Sequence, residues 1–158
     1  MALLLVIGTS VGVSASKVQD EDWWVLSAGD AAGNVYLVDG IPKLEMGAAV
    51  SYHTHFFYKV SVNGVRSAQI EYYVNCEEQT IREARYVDYD DRREPIYSGD
   101  NYDVNSAYKP RAGTIGDELI MFSCASEDER LQKYPRIDMG ADKWALGESL
   151  LSVSAVSS

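Results

Sequence analysis

The sequence predicts an α+β chain that is mainly β: a single antiparallel sheet of about six strands with a C-terminal helix packed on it. Three observations lead there. The eleven tyrosines all fall between Tyr36 and Tyr134, several within alternating runs, and Tyr favours a pleated, half-buried surface. Asn63-Gly64 stands between two alternating runs, which is a strong hairpin signal. Strand-like segments come first along the chain and helix signals last, the order of a sheet with helical cover.

The elements follow in turn. Trp23, Trp24, Val25 and Leu26 open the first strand, residues 30–34 (DAAGN) supply a turn, and VYLVD (35–39) closes a hairpin. GIPKLEMGA then breaks the pattern through Gly40, Pro42 and Gly47. VSYHTHFFYKVSV (50–62) is a long strand: Val50, Tyr52, Thr54, Phe56 and Tyr58 share one face, and Ser51, His53, His55, Phe57 and Lys59 the other. After the Asn63-Gly64 turn, SAQIEYYVNC puts Ile70, Tyr72, Val74 and Cys76 on one face. TIREARYVDYD (80–90) reads as a strand, because Tyr86, Val87 and Tyr89 are poor helix formers. Residues 90–114 are polar, with two prolines and two glycines, and read as an irregular surface loop. IGDELIMFSC returns to a strand that ends in Cys124. Ser126 and Glu129 then form a capping box for a helix that Pro135 ends. DKWALGESLL (142–151) makes a second helix, weakened by Gly147, and the Ser-rich end is expected to fray.

A chain of 158 residues without repeat or linker is one domain. The opening MALLLVIGTSVGVSASKV is apolar, uncharged up to Lys17, and carries a small-x-small pattern at Val13-Ser14-Ala15. Residues 1–15 therefore read as a signal peptide, or a shortened one since no Lys or Arg stands near Met1; the apolar run falls short of the roughly 18 residues a membrane span needs. Residues 16–158 form the domain, with its core in 23–134 and a helical or frayed tail. The formal net charge of -10 disfavours nucleic acid and anionic membrane surfaces as partners, since both need a basic face. An exported chain meets an oxidising compartment, periplasm or cell surface. There Cys76 and Cys124 permit one bridge, closing a loop of about 49 residues worth on the order of 4 kcal/mol.

Candidate chemistry is thin. His53 and His55, the only histidines, lie at i and i+2 and could place two imidazoles on one metal, with a third ligand still needed. Asp88, Asp90, Asp91, Glu94, Asp100 and Asp103 crowd one segment, but their spacing is not that of a calcium loop, and a solvated hairpin fits better. There is no G-x-S-x-G elbow and no phosphate-binding glycine loop; a Cys-His nucleophile pair remains formally open, and a cross-linked sulfur would not serve it. No catalysis and no cofactor are expected. Aromatic faces remain, with Tyr73, Phe57, Tyr89 and Tyr97 as candidate binding residues.

Taken in order, Trp23-Trp24, NVYLVD ending in Asp39, AAVSYHTHFFYKV, IEYYVNC, TIREARYVDYD and AGTIGDELIMFSC resemble the surface-adhesin protein E family of bacterial exported domains, over about residues 23 to 125. The resemblance implies an antiparallel sheet of about six strands with a C-terminal helix, and a second cysteine on a terminal strand. It also implies a non-enzymatic binding domain, whose partner would be a host or envelope protein and which can form a homodimer. The family includes a surface lipoprotein that binds host matrix and plasma proteins; here no cysteine follows the apolar run and no Lys/Arg cluster is present. The alternative is a periplasmic domain for a small ligand or a metal.

Overall fold

A computed structural model describes residues 22–28, 31–46, 48–137 and 142–154. The signal-like segment 1–15 and the last residues of the Ser-rich end lie outside them. Seven strands form one antiparallel sheet: β1 (Trp23–Ala28), β2 (Val35–Asp39), β3 (Leu44–Met46), β4 (Ala49–Val62), β5 (Val65–Asn75), β6 (Thr80–Tyr89) and β7 (Pro95–Asp100). The order β1-β2-β4-β5-β6-β7 follows the chain as an antiparallel meander, with β3 set off this path beside β4. Short β3 pairs with Ala49–Ser51 of β4 on the same edge that β2 uses at residues 54–57. The GIPKLEMGA segment is thus an excursion that leaves the ladder at Gly40 and rejoins it at Leu44, rather than a plain break.

At the β4–β5 turn, Asn63 and Gly64 both adopt positive φ (52° and 84°), the geometry that two-residue hairpins need. The 80–90 segment is the strand expected. Residues 90–114 are not all loop: β7 pairs along β6, with Asp88 opposite Tyr97 and Arg85 opposite Asp100. A polar strand beginning with proline carries little strand signal of its own, and pairing with β6 decides it.

The larger correction concerns IGDELIMFSC. It is a helix, α1 (Ile115–Cys124), and not a terminal strand. Thr114 caps it by accepting from the Asp117 N–H (3.4 Å), while Asp117 accepts from the Gly113 N–H (2.9 Å). Leu119, Ile120, Phe122 and Ser123 are buried and Met121 and Cys124 are exposed, a helical stripe rather than an alternation. Helix α2 (Glu127–Lys133) starts at the expected capping box, with Ser126 and Glu129 bonded reciprocally. Helix α3 (Lys143–Ser154) covers the segment read as a second helix.

The sheet carries helices on both faces. On one, α1 and Tyr134 pack over Trp24, Val38, Tyr52, Val74 and Ile81. Arg130 stitches this side, donating to the Phe122 carbonyl (2.8 Å) and the Tyr52 hydroxyl (2.8 Å). On the other, α3 packs over Trp23, Val25, Val35, Leu37 and Phe57 through Leu151 and Trp144. Cys76 and Cys124 are bridged, with Cα atoms 5.5 Å apart, so the bond ties the end of α1 to the turn after β5.

Candidate functional site

Strand pairing arranges the side chains of the α1 face in rows that run across the strands. One row is Tyr36, Phe56, Ala68, Asp88 and Tyr97; the next is Val38, Thr54, Ile70, Tyr86 and Gly99. A third begins at Tyr52 and Tyr72 and reaches Glu83 after a bulge in β5–β6. Helix α1 covers the β1 end of this face and the Val74 and Ile81 ends of β5 and β6. Phe56, Ala68 and Ile70 form a separate cluster, and its packed neighbours are Tyr36, Tyr58, Tyr72 and Tyr86, all of them partly exposed. Phe56 meets Tyr36 edge-on at 4.7 Å and lies 6.3 Å from the Tyr72 ring. The result is a floor of apolar side chains with a surface of tyrosines. At its rim, Tyr58, Val62, Asn63, Val65, Asp88 and Tyr97 line a groove of about 430 Å³.

Two carboxylates stand in this tyrosine surface. Burial pushes the Glu83 carboxyl up, and the charge of Asp88 adds to it. Burial raises Asp88 as well. The phenols respond in turn: Tyr72 is raised by burial and then by Glu83, and Tyr58 by burial and then by Asp88 and Glu83. Among the described residues, neither carboxylate has a hydrogen bond or an ion pair, so nothing offsets the cost of drawing the charge out of water.

The residues singled out from sequence separate onto different surfaces. Tyr97, 58% exposed, stands on the tyrosine face. Tyr73 points to the opposite face, under the Arg82 guanidinium at 4.7 Å. Phe57, only 2% exposed, is closed beneath α3 and is withdrawn from any partner. Tyr89 packs against Trp144 (5.0 Å) and stacks towards His55 (5.9 Å) on that same side.

His53 and His55 also face α3. The His55 ring is wholly buried, stacked on Phe57 (4.5 Å) and met edge-on by Trp144 (4.5 Å). Burial, aided by Lys143, lowers its pKa from 6.5 to about 3, so it is a neutral imidazole. His53 lies 4.0 Å from Glu71, and its pKa is also lowered, chiefly by burial. Among the described residues no three His, Cys, Asp or Glu side chains gather to hold a metal.

The acidic crowd of residues 88–103 has varied duties. Asp90 caps the β6–β7 turn by accepting from the N–H groups of Arg92 and Glu94 (both 2.9 Å). Asp100 pairs with Arg85 (2.6 Å), and Asp103 caps the 3-10 turn at Val104–Ser106. Asp88 alone of these lies on the tyrosine face. Sequence reasoning passed over Glu83, Tyr58, Tyr72 and Tyr86; their alternation within each strand was visible, but which strands stand side by side, and in which register, was not.

Comparison with protein-family models, with curated proteins and with solved structures finds no match in any of the three.

Proposed function

We propose that this chain is an exported, non-enzymatic binding domain of the surface-adhesin E type, working in the periplasm or at the cell surface and engaging a host or envelope protein. The Cys76–Cys124 bond carries the reading. Such bonds persist in oxidising compartments and are rare in reducing ones. Further support comes from the ordered sequence segments that resemble that family and from the signal-like start. The partly exposed tyrosine surface supplies area of the kind that protein interfaces favour. Among the described residues, no helix is long and apolar enough to cross a membrane. With both sulfurs in the bond, the Cys-His nucleophile pair has no thiol to use.

The test is non-reducing mass spectrometry of fractionated cells, with and without proteolytic shaving of the outer surface. The expected result is a protein two hydrogen masses lighter than its reduced form, found outside the cytoplasm and lacking residues 1–15. Two free thiols in a cytosolic protein would overturn the proposal.

A further inference from the structure

We propose that the tyrosine face is a seat for Lys or Arg side chains of a protein partner, with Glu83 and Asp88 supplying the charge and Tyr58, Tyr72, Tyr86 and Tyr97 the aromatic surroundings. This rests on the reading of the chain as a binding domain and names the chemistry of its partner.

Charge complementarity selects the occupant. Two carboxylates half-buried among phenol rings, each pushed towards its neutral form by burial, are poorly placed in the free protein. A cation beside each of them restores what burial removed, and the faces of the tyrosine rings add their own attraction for it. An uncharged apolar ligand would bury the carboxylates further and cost more. A second copy of the chain would bring another net charge of -10 against the same acids. An anion is repelled outright. A basic segment is the occupant that gains from every feature of the face.

Among the described residues, the neighbouring cations of the chain are engaged elsewhere. The Arg66 guanidinium, at the start of β5, is held by the carbonyls of Tyr58 and Lys59. Arg82 and Arg85 turn to the opposite face, over Tyr73 and onto Asp100. Neither carboxylate has a basic group among the influences on its titration.

The floor of the seat is built low. Ala68 sits between Phe56 and Asp88 in its row, a small side chain next to the carboxylate. Tyr86 lies over Gly99, where an added Cβ would come within 2.7 Å of the ring. The glycine lets the tyrosine lie down against β7, beside Asp88. The groove between Tyr58, Asp88 and Tyr97 has room for the end of a long side chain.

The experiment titrates oxidised protein with a labelled hexalysine peptide at physiological salt, using hexaglutamate and tetramethylammonium as comparison probes. Hexalysine is expected to bind and hexaglutamate not to. The double variant Glu83→Gln/Asp88→Asn should weaken hexalysine binding about tenfold or more, a loss fitting a charge-assisted contact. Tyr97→Leu should weaken it roughly threefold, the scale of one exposed cation–π contact. Asp91→Asn/Glu94→Gln removes the same charge from the neighbouring turn and should leave affinity within about twofold. Thermal unfolding of each variant separates lost binding from lost fold.

Equal losses in the two double variants would show attraction to net charge alone and overturn the seat. So would hexalysine binding no better than hexaglutamate. Tetramethylammonium competing as well as hexalysine would assign the face to a small cation and overturn the protein partner. An oxidised, exported protein that fails these tests refutes the seat and leaves the export reading standing; a cytosolic protein with free thiols does the reverse.

Discussion

An imidazole enclosed by Phe57, Tyr89 and Trp144 has no water to share a positive charge with. His55 is therefore neutral in the fold, with a pKa of about 3, while in the unfolded chain it titrates near 6.5. Between those values the unfolded chain holds a proton that the folded chain refuses. Stability must fall as pH drops through this window, and the contribution is complete above about pH 6.5. His53, also lowered chiefly by burial, acts with the same sign. Replacing His55 by Phe keeps a ring in the stack and removes the titration. We expect His55→Phe to make the loss of stability between pH 7 and pH 4 shallower by on the order of 3 kcal/mol, read from urea midpoints. Equal acid sensitivity in the two proteins would refute the burial account. The sequence placed both histidines on the polar-looking face of a strand. The residue that makes His55 a core residue, Trp144, lies far along the chain, and only docking of its helix brings the two rings together.

At the scale of elements, α3 shows how a weak helix is fixed by one close approach. Gly147 lowers its intrinsic helicity, yet its Cα lies so near Phe57 that an added Cβ would stand 2.5 Å from the ring. On an exposed helix Gly→Ala stabilises by up to about 1 kcal/mol. Here the sign reverses, because the Phe57 ring is buried in the sheet and has little room to give. We expect Gly147→Ala to lower stability by roughly 1–3 kcal/mol and to expose Trp144, seen as a red shift in fluorescence. Unchanged or raised stability would mean that α3 is not held where it is seen. The Arg93–Glu148 pair at 3.1 Å is exposed and adds little to the docking. The glycine was legible only as a defect in a helix; its use appears once β4 lies beneath it. In α1 the reverse happened. The Thr114/Asp117 cap and the buried stripe at Leu119, Ile120 and Phe122 were present in the sequence, but the dense apolar run into Cys124 resembled a strand more than a helix.

Across the whole molecule, the Cys76–Cys124 bond closes the chain around β6, β7 and the loop before α1. It joins the end of α1 to the turn after β5, so the segment between must fold within a closed loop. Chain entropy assigns such a link on the order of 4 kcal/mol. The Cys76→Ser/Cys124→Ser protein should lose about that much in guanidinium unfolding, and α1 should become the first element to exchange its amide hydrogens. A loss below about 1 kcal/mol would mean that the bond adds little beyond the packing of Phe122 and Leu119. Placed against the sheet, the same helix leaves the tyrosine surface of β4–β7 open, and a strongly acidic chain surrounds that opening with a field that favours basic partners.

The sequence by itself determined the fold class, the long strands, the Asn63-Gly64 turn, the Ser126 cap and the cysteine pair. These rest on local periodicity, backbone preference and simple count, which each segment carries within itself. Tertiary structure alone decided that PIYSGD is a strand, that Phe57 and His55 are core, and that Glu83 and Asp88 share one face with four tyrosines. Each of these depends on which strands neighbour one another and in what register, a property of long-range packing that no short stretch of chain contains.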